Sequence, residues 1–391
     1  MPEAVVILAQ SGRALAQAAR RAGLRPYVAD LFGDEDTLAL AEAWRPLRGG
    51  FGGSLHGGTA LQAAGGLAGL AGQNLVGLIL GSGFESAPAL VAELARRHRL
   101  LGTPAPLIEW LKEPLRLERL LLELGIPHPS VSLEAVPRAE GWLRKRVGGS
   151  GGGHIRPAPR GAPPGRSYLQ KRVAGRPVSV GFLADGRACE ILAFSEQWTA
   201  PSRSAPFRYG GAAIPATLDA DLAVQIVEAV RDIVRATGLR GLASADCLVE
   251  GGGWWLLEIN PRPGATLDLL DRRPTPLLRR HIEACTGRLG EPETAPANAV
   301  AQEILYARRT IRAVPDLRWA EFVADRPRPG SRIAAGAPIC TVGADGMTAG
   351  SARERLRERC AALRAVLEQE GRKDDLGRTA PERERFGCTP C

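Results

Sequence analysis

The chain has 391 residues, of which 45% are hydrophobic and 24% charged, a composition typical of a globular protein with room for two or three domains. It contains no run of about 18 apolar residues and no basic segment before its first apolar run, which argues against a membrane span and a secretory signal. The seven cysteines are scattered and odd in number, which argues against a disulfide framework and favours a cytoplasmic location.

The net charge of +9 makes nucleic acid a partner to consider. The basic residues are spread along the chain, however, and aromatic residues make up only 5% of it. Few bases could therefore stack on the surface, and a diffuse positive field suits a small anionic ligand better than nucleic acid. The sequence leaves the oligomeric state open, including a homo-oligomer.

The first hundred residues predict alternating strands and helices. Apolar runs at 4–10, 26–32 and 74–80 are separated by a helical segment at 11–24 and by a Gly-rich stretch from Gly49 to Gly77. This rhythm indicates a parallel sheet covered by helices. The turn after the first strand lacks the G-x-G-x-x-G pattern, so we predict no dinucleotide site there.

Further along the chain, helical patterns cover 115–124 and 219–237, and two strand-like runs at 241–249 and 254–259 predict a hairpin. Short strand-like runs follow at 299–308 and 337–344. The spacing of Leu356, Cys360, Leu363 and Leu367 predicts an amphipathic helix. The polar end of the chain, 371–391, is predicted to be disordered. Its Cys388 and Cys391 provide only half of a zinc site.

A loop with five glycines in six positions, 148–153, follows a strand that contains Lys145. Without Cβ atoms, the backbone N–H groups of such a loop can converge on phosphate oxygens, and a nearby lysine can neutralise their charge. The alternative is a flexible connection. His154, which follows the glycines, could contact phosphate or face water.

The segment around Gln170, Lys171 and Val173 predicts a strand, a hinge and a second strand. Such a hinge can present backbone donors and acceptors to a purine edge. The alternative is an ordinary strand pair.

The predicted hairpin carries Asp246 on one strand and Glu258, Asn260 and Arg262 at the end of the other. Strand alternation places Glu258 and Asn260 on one face, which Asp246 can also reach. Two carboxylates and an amide oxygen are suitable ligands for Mg²⁺, and Arg262 adds a planar cation. The alternative is a solvated polar face, which fits poorly beside an apolar run at 254–257.

In this order and spacing, Lys145 with its glycine loop, the 170–173 hinge, Asp246 and the 258–262 motif resemble the ATP-grasp superfamily, and within it the branch related to biotin carboxylase. The resemblance implies a mixed α/β and α+β fold. A pre-ATP-grasp parallel α/β domain (1–103) would precede an ATP-grasp domain (104–290) with a lid at about 128–200. A small C-terminal α+β segment (291–370) would follow.

The resemblance also implies roles for individual residues. Lys145 would contact the phosphates and the adenine side of ATP, and Arg262 would steady an acyl phosphate. Asp246, Glu258 and Asn260 would hold one or two Mg²⁺ ions, with Mn²⁺ as a substitute and Glu258 shared between the ions. The remaining nucleotide contacts would come from the mobile lid, Ser150, Gly151, Gly152 and Gly153, and from the adenine hinge, Gln170, Lys171 and Val173.

The implied activity is that of an ATP-dependent carboxylate–amine ligase, whose partners are a small-molecule carboxylate and an amine. Relatives of this branch act in the assembly of one-carbon carriers, which suggests a role in cofactor biosynthesis. The alternatives are a biotin-carboxylase-like carboxylase and a regulatory protein that binds ATP without turnover. The carboxylase is disfavoured because 263–268 lacks the catalytic stretch of biotin carboxylases.

Two details stay open at this stage. The early lysine of the family falls near Pro114, so that Lys112 or Arg116 must replace it. Asp268 and Arg272, beyond the metal strand, are candidates for contact with the acceptor substrate.

Overall fold

The computed structural model describes residues 2–377, with side chains for residues 2–369. Within this part of the chain, no helix combines the length and the apolar character that crossing a membrane requires. The predictions for Cys388 and Cys391 lie outside the described residues.

The N-terminal part contains four strands in the order β3–β2–β1–β4, all parallel, as the sequence predicted. Its elements are β1 (Ala4–Leu8), α1 (Arg13–Arg21), β2 (Arg25–Asp30), α2 (Glu35–Leu40), β3 (Ala43–Pro46), α3 (Gly57–Ala71), β4 (Leu75–Leu80) and α4 (Pro88–Arg97).

Helix α3 lies inside the Gly-rich stretch, for which no helix was predicted. Its buried residues are Ala60, Ala63, Ala64, Leu67 and Ala71, which recur at helical spacing. Packing of this face against the sheet outweighs the cost of glycine in a helix, about 1 kcal/mol per residue.

A small antiparallel sheet follows two short helices. These elements are α5 (Ala105–Lys112), α6 (Pro114–Glu123), β5 (Val131–Ser132), β6 (Trp142–Arg146), β7 (Arg156–Pro157) and β8 (Ser167–Lys171), with the sheet order β5–β8–β6–β7. The predicted lid, at about 128–200, contains this sheet and also the two strands that follow β8, which belong to a different, larger sheet.

The larger sheet has eight strands in the order β13–β12–β9–β10–β11–β14–β16–β15. The elements of this part are β9 (Arg176–Asp185), β10 (Cys189–Thr199), β11 (Tyr209–Ile214), α7 (Ala220–Thr237), β12 (Arg240–Glu250), β13 (Gly253–Asn260), α8 (Leu267–Leu270), α9 (Leu277–Cys285), β14 (Ala299–Tyr306), β15 (Val323–Ala324), β16 (Pro338–Gly346) and α10 (Ala349–Gly377). The domain boundary predicted at 290 lies between β11 and β14 in the chain. These two strands pair with each other, so residues on both sides of the boundary belong to one sheet.

Helix α10 continues to Gly377, so the helix includes the first seven residues of the segment predicted to be disordered. Residues 378–391 lie outside the described residues.

The N-terminal part and the large sheet share one hydrophobic core. Val5 and Ile7 of β1 belong to the same buried cluster as Leu183 of β9, Leu242 of β12 and Leu277 of α9. Burial of such side chains contributes roughly 1.5–3 kcal/mol each, so this shared core fixes the two parts against each other. The cleft between them is therefore a defined place in the fold.

Candidate active site

The predicted hairpin forms and brings its polar side chains together. Asp246 of β12 lies opposite Glu258 of β13 in the strand register, and Ser244 lies opposite Asn260. Asn260 Nδ2 donates a hydrogen bond to Asp246 Oδ2 at 2.9 Å. Ser179 Oγ, from the neighbouring strand β9, donates to Asp246 Oδ1 at 2.6 Å. The three predicted metal ligands thus lie on adjacent strands at one end of the sheet.

A β-bulge sets the direction of these side chains. The register pairs Asp246 with Glu258 but Cys247 with Leu256, so that Leu257 is an extra residue in β13. Trp254, Leu256 and Ile259 all belong to one buried hydrophobic cluster. In a strand without a bulge, Glu258 would lie on the same face as Trp254 and Leu256, and Ile259 would lie on the opposite face. The bulge reverses the alternation, and Glu258 and Asn260 therefore face away from that core.

Lys112, at the end of α5, lies against this cluster of oxygens. Its Nζ donates to Asn260 Oδ1 at 3.0 Å and lies 3.4 Å from Glu258 Oε2. Its side chain is buried, whereas Arg116 is exposed on α6. Of the two residues that could replace the family's early lysine, the structure brings Lys112 to the site.

Lys145 of β6 is buried and close to the same carboxylates. Burial lowers the pKa of Lys145, although Glu258 and Asp246 both act in the opposite direction. Within the described part of the chain, its ammonium group makes no hydrogen bond. A buried cation of this kind needs an anionic partner.

The glycine loop ends near the carboxylates, as the position of His154 shows. His154 is close enough to Glu258 for their charges to interact, and burial lowers the pKa of His154 to about 4, so that it is neutral near pH 7. His154 Nδ1 is buried without a hydrogen-bond partner among the described residues. This polar atom, like the ammonium of Lys145, is available to a ligand.

The loop is held down by contacts on two sides. Gly151 and Gly152 have φ angles of +66° and +68°, which side chains rarely adopt. Gly151 O accepts a hydrogen bond from Tyr209 N at 2.9 Å, and a Cβ on Gly152 would lie 1.9 Å from Phe207 O. On the other side, a Cβ on Gly148 would lie 2.4 Å from Glu85 O.

Ser150 and Gly153 complete the predicted flap. Ser150 is buried, and Gly153 O accepts a hydrogen bond from Arg156 Nη1 at 2.8 Å. Arg146, just before the loop, donates from Nη2 to Gly52 O in the N-terminal part at 3.0 Å. The flap is therefore in contact with both halves of the cleft.

The two carboxylates of the hairpin differ in their ionisation. Burial, together with the nearby charge of Glu258, raises the pKa of Asp246 to about 6. Burial alone would raise the pKa of Glu258 as well, but Lys112, Lys145 and His154 outweigh it and lower that pKa to about 2. A pair of close carboxylates of this kind favours an added cation.

Arg262 is fixed by an acidic residue from the N-terminal part. Its Nε donates to Glu85 Oε1 at 2.5 Å, and only 3% of the Glu85 side chain is exposed. The ion pair with Arg262 lowers the pKa of Glu85 despite its burial. Glu85 thus positions the guanidinium beside the hairpin.

The predicted adenine hinge lies at the end of strand β8, which includes Gln170 and Lys171, and Val173 follows the strand. Gln170 is buried and pairs with Leu143 and Val131 in the small sheet, while Lys171 is exposed and Val173 is half-buried. Lys171 N donates to Ser130 O at 2.9 Å. The hinge therefore connects the small sheet to strand β9 of the large sheet, beside the metal-ligand strands.

The residues present fit a divalent cation and a triphosphate. The structure describes no cluster of three or more His, Cys, Asp and Glu side chains suited to a metal, and in this cleft the third oxygen comes from the amide of Asn260. Two carboxylates and an amide are the oxygen donors that Mg²⁺ accepts while it keeps positions for water and phosphate. Lys145 and the unpartnered His154 Nδ1 provide the complementary groups for phosphate oxygens.

Sequence reasoning missed two supporting residues and proposed two that lie elsewhere. Glu85 and Ser179 both contact the site. In the sequence, Glu85 is only an acidic residue after a Gly-rich strand end, and Ser179 is only a serine within an apolar strand. Asp268 instead accepts two hydrogen bonds from Arg13, and Arg272 donates to Asn298. Neither of them belongs to the group around Glu258.

Two sequence comparisons relate part of this chain to known proteins. Residues 113–266 match the family model described as the ATP-grasp domain. The chain is also 27% identical over 223 residues to the carbamoyl phosphate synthase large chain of Rubrobacter xylanophilus. That match covers 50% of this chain but only 21% of the relative's length.

Solved structures share the fold over nearly the whole chain. A biotin carboxylase from Campylobacter jejuni has a TM-score of 0.69 at 13% identity, covering 91% of this chain and 90% of the other. An L-amino acid ligase from Bacillus licheniformis has a TM-score of 0.67 at 16% identity, covering 91% and 96%. The predicted resemblance to the ATP-grasp superfamily, and the predicted fold class, are confirmed.

Proposed function

We propose that this protein is a Mg-ATP-dependent ligase that joins a carboxylate to an amine through an acyl phosphate. One observation carries the proposal: Asp246, Glu258 and Asn260 converge at the end of the hairpin, close to Lys145 of β6 and to His154 at the end of the glycine loop. An ATP-binding protein without turnover could lose one metal ligand at little cost, whereas this chain keeps the full set.

In the proposed reaction, the protein acts by positioning and by charge stabilisation. Asp246, Glu258 and Asn260 would hold Mg²⁺, which would supply stabilisation of the negative charge on the transferring phosphoryl group. Lys145 and His154 would contact the phosphates from the flap side. Arg262, held by Glu85, would steady the acyl phosphate on the opposite side.

An amine acceptor is favoured over carboxylation for a structural reason. Asp268, which lies where biotin carboxylases continue their catalytic stretch, is bound by Arg13 at 2.6 Å. A carboxylate held in this ion pair is poorly placed to act as a base in carboxylation. The fold shared with biotin carboxylase does not decide between the two reactions, since the L-amino acid ligase has the same fold.

A screen for ADP release tests the proposal. The protein would be incubated with Mg-ATP and an array of carboxylate and amine pairs. We expect ADP release to require both substrates of one pair, with ¹⁸O passing from the carboxylate to inorganic phosphate. ADP release with bicarbonate alone, and none with any pair, would favour the carboxylase instead.

Glu258→Gln serves as the matched control, because the substitution keeps the side-chain shape and removes the charge that the metal requires. We expect it to abolish ADP release while the variant remains folded by circular dichroism. Ordinary turnover in this variant would remove Glu258 from its assigned role.

We also propose that the reaction belongs to the biosynthesis of a one-carbon carrier cofactor. The support for this setting is the sequence resemblance to the branch whose members act in such pathways. The array should therefore include pterin-linked and furan-linked amines. If these amines stay inactive while unrelated amines react, the setting is wrong and the ligase assignment stands.

A further inference from the structure

A second cavity lies in the C-terminal part of the fold, where β14 ends and α10 crosses the sheet. Its volume is about 310 Å³, which is within the size range of small-molecule sites. In the eight-stranded sheet, three strands separate β14 from β12, which carries Asp246. At about 4.8 Å per strand, the cavity is roughly 19 Å from the metal ligands, and it is therefore not part of the nucleotide site.

The lining of this cavity has an apolar base. Leu305 is fully buried, and Ile339 is 8% exposed. Ile311 and Leu367 also line the cavity and are half-buried. Such a surface favours the aliphatic or aromatic body of a ligand, because contact with it removes apolar area from water.

The opening of the cavity is strongly basic. Arg308 and Arg309 are exposed, and neither makes a side-chain hydrogen bond or an ion pair with any described residue. Arg364 is half-buried, and its ion pair with Glu303 is long at 3.9 Å. Among the lining residues that the structure describes, Glu368 is the acidic residue beside these three guanidinium groups.

The guanidinium group of Arg208, beside Tyr306, already has partners within the protein and is not available to bind an anion. The guanidinium of Arg208 lies 3.5 Å from the centre of the Tyr306 ring and donates from Nη1 to Gly336 O. Tyr306 Oη donates to Tyr209 O at 2.9 Å. The wall formed by Tyr306 is therefore fixed, and the unpaired charge is confined to Arg308 and Arg309.

We propose that this cavity binds a small amphipathic anion, in which an apolar body carries a carboxylate. The apolar base would take the body, and Arg308 and Arg309 would bind the carboxylate. Guanidinium groups suit this role because their planar fork matches the two oxygens of a carboxylate. The proposal is independent of the proposed ligase activity.

Calorimetric titration of the full chain with sodium octanoate tests the proposal, with octylammonium chloride as the ligand of opposite charge. We expect saturable binding of one octanoate per chain and at least tenfold weaker binding of octylammonium. Addition of Mg-ADP should leave the octanoate affinity unchanged, because the two sites are separate. No binding of octanoate, or equal binding of both ligands, would overturn the proposal.

Two variants locate the binding. The double variant Arg308→Gln and Arg309→Gln should weaken octanoate binding at least fivefold, and Leu367→Trp should weaken it by filling the cavity. The control is Arg187→Gln, an exposed arginine in the β9–β10 turn, which should bind octanoate normally. Octanoate affinity that is unchanged in both cavity variants would show that the ligand binds elsewhere and would contradict the assignment.

The chain itself offers one competing occupant, namely the segment 378–391. Deletion of this segment should leave the octanoate affinity within about twofold of that of the full chain. Binding that is detected only after the deletion would mean that the segment fills the cavity, and would overturn the proposal.

Discussion

At the scale of single residues, the candidate site depends on buried charges that need partners. Lys145 is 6% exposed and lies near two carboxylates without a hydrogen bond to either, within the described residues. Its strand position next to a Gly-rich loop was the sequence signal for a phosphate contact. Burial of the ammonium group strengthens that prediction, because desolvation of a cation is costly unless an anion compensates.

Lys145→Ala should weaken ATP binding by about 1–3 kcal/mol, which is the scale of a charge-assisted hydrogen bond. This corresponds to an increase of roughly 5- to 150-fold in Kd by calorimetry. Arg144→Ala is the matched control, since Arg144 lies on the same strand with its side chain on the other face. Equal ATP affinity of the Lys145 variant and the unaltered protein would remove Lys145 from the nucleotide site.

Asp246 should lower the stability of the free protein at neutral pH. Its pKa is raised to about 6 from its usual value near 4, so the folded state binds the proton more tightly than the unfolded state does. The protonated carboxyl group of Asp246 therefore stabilises the folded state below about pH 4, and this contribution is lost as the pH rises through 6. Mg²⁺ binding requires the ionised form and should weaken below about pH 6.

Asp246→Asn should therefore raise the free energy of unfolding of the metal-free protein by about 1–2 kcal/mol at pH 7.5, and leave it nearly unchanged at pH 4. The same variant should lose Mg-ATP-dependent turnover. Denaturant titrations at the two pH values measure the difference. At each pH, the quantity to compare is the change in the free energy of unfolding that the substitution causes. A less favourable change at pH 7.5 than at pH 4 would refute this interpretation of Asp246.

At the scale of elements, the sequence predicted the hairpin and its polar residues but not how they come to face the cleft. Period-two alternation placed Glu258 and Asn260 on one face, which is correct. Alternation alone would have added Trp254 and Leu256 to that face, and only the bulge at Leu257 separates them. A bulge has no distinct residue signature here, because Leu257 is as apolar as the residues before it.

Helix α3 shows a different case, in which the sequence was given no element. No helix was predicted in the Gly-rich stretch, yet its alanines and Leu67 form a helical stripe against the sheet. Tertiary packing decides the outcome there, and a single sequence gives no measure of that packing. The sheet to which β9 and β10 belong could not be predicted for the same reason, since long-range pairing decides it.

The flap depends on glycine at one position more than at its neighbours. A Cβ on Gly152 would lie 1.9 Å from Phe207 O in a left-handed backbone conformation, so Gly152→Ala should prevent the flap from docking. We expect at least a tenfold higher KM for ATP and faster cleavage of the flap by protease. Gly161→Ala, at an open position with no neighbour within 4 Å, is the control. A normal KM in the Gly152 variant would show that flap docking is unnecessary for ATP use.

At the scale of the whole molecule, ion pairs between distant segments hold the cleft together. Glu85 binds Arg262 across the cleft, and Arg13 binds both Asp268 and Asp325, which come from the ATP-grasp part and the C-terminal part. These pairs could not be predicted from the sequence, since each joins residues more than 170 positions apart. The order of the motifs, by contrast, was readable, because the local pattern of each motif identifies it.

Glu85→Gln should lower the free energy of unfolding by about 3 kcal/mol, because it leaves the guanidinium of Arg262 buried without its charge partner. Since the pKa of Glu85 is lowered in the folded state, this contribution should be present above about pH 4.5 and lost as the pH falls. Glu93→Gln, which breaks exposed ion pairs on α4, should leave the free energy of unfolding nearly unchanged. Equal effects of the two variants on the free energy of unfolding would mean that the ion pair of Glu85 with Arg262 does not stabilise the fold as predicted.

The central claim is that Asp246, Glu258 and Asn260 together hold a divalent cation with the nucleotide. Electron paramagnetic resonance of Mn²⁺, titrated with a non-hydrolysable ATP analogue, tests it without knowledge of the substrates. We expect the protein to bind Mn²⁺ tightly only when the analogue is present, and the Glu258→Gln variant to lose this binding. Nucleotide-dependent Mn²⁺ binding of equal strength in that variant would contradict the site and, with it, the proposed ligase.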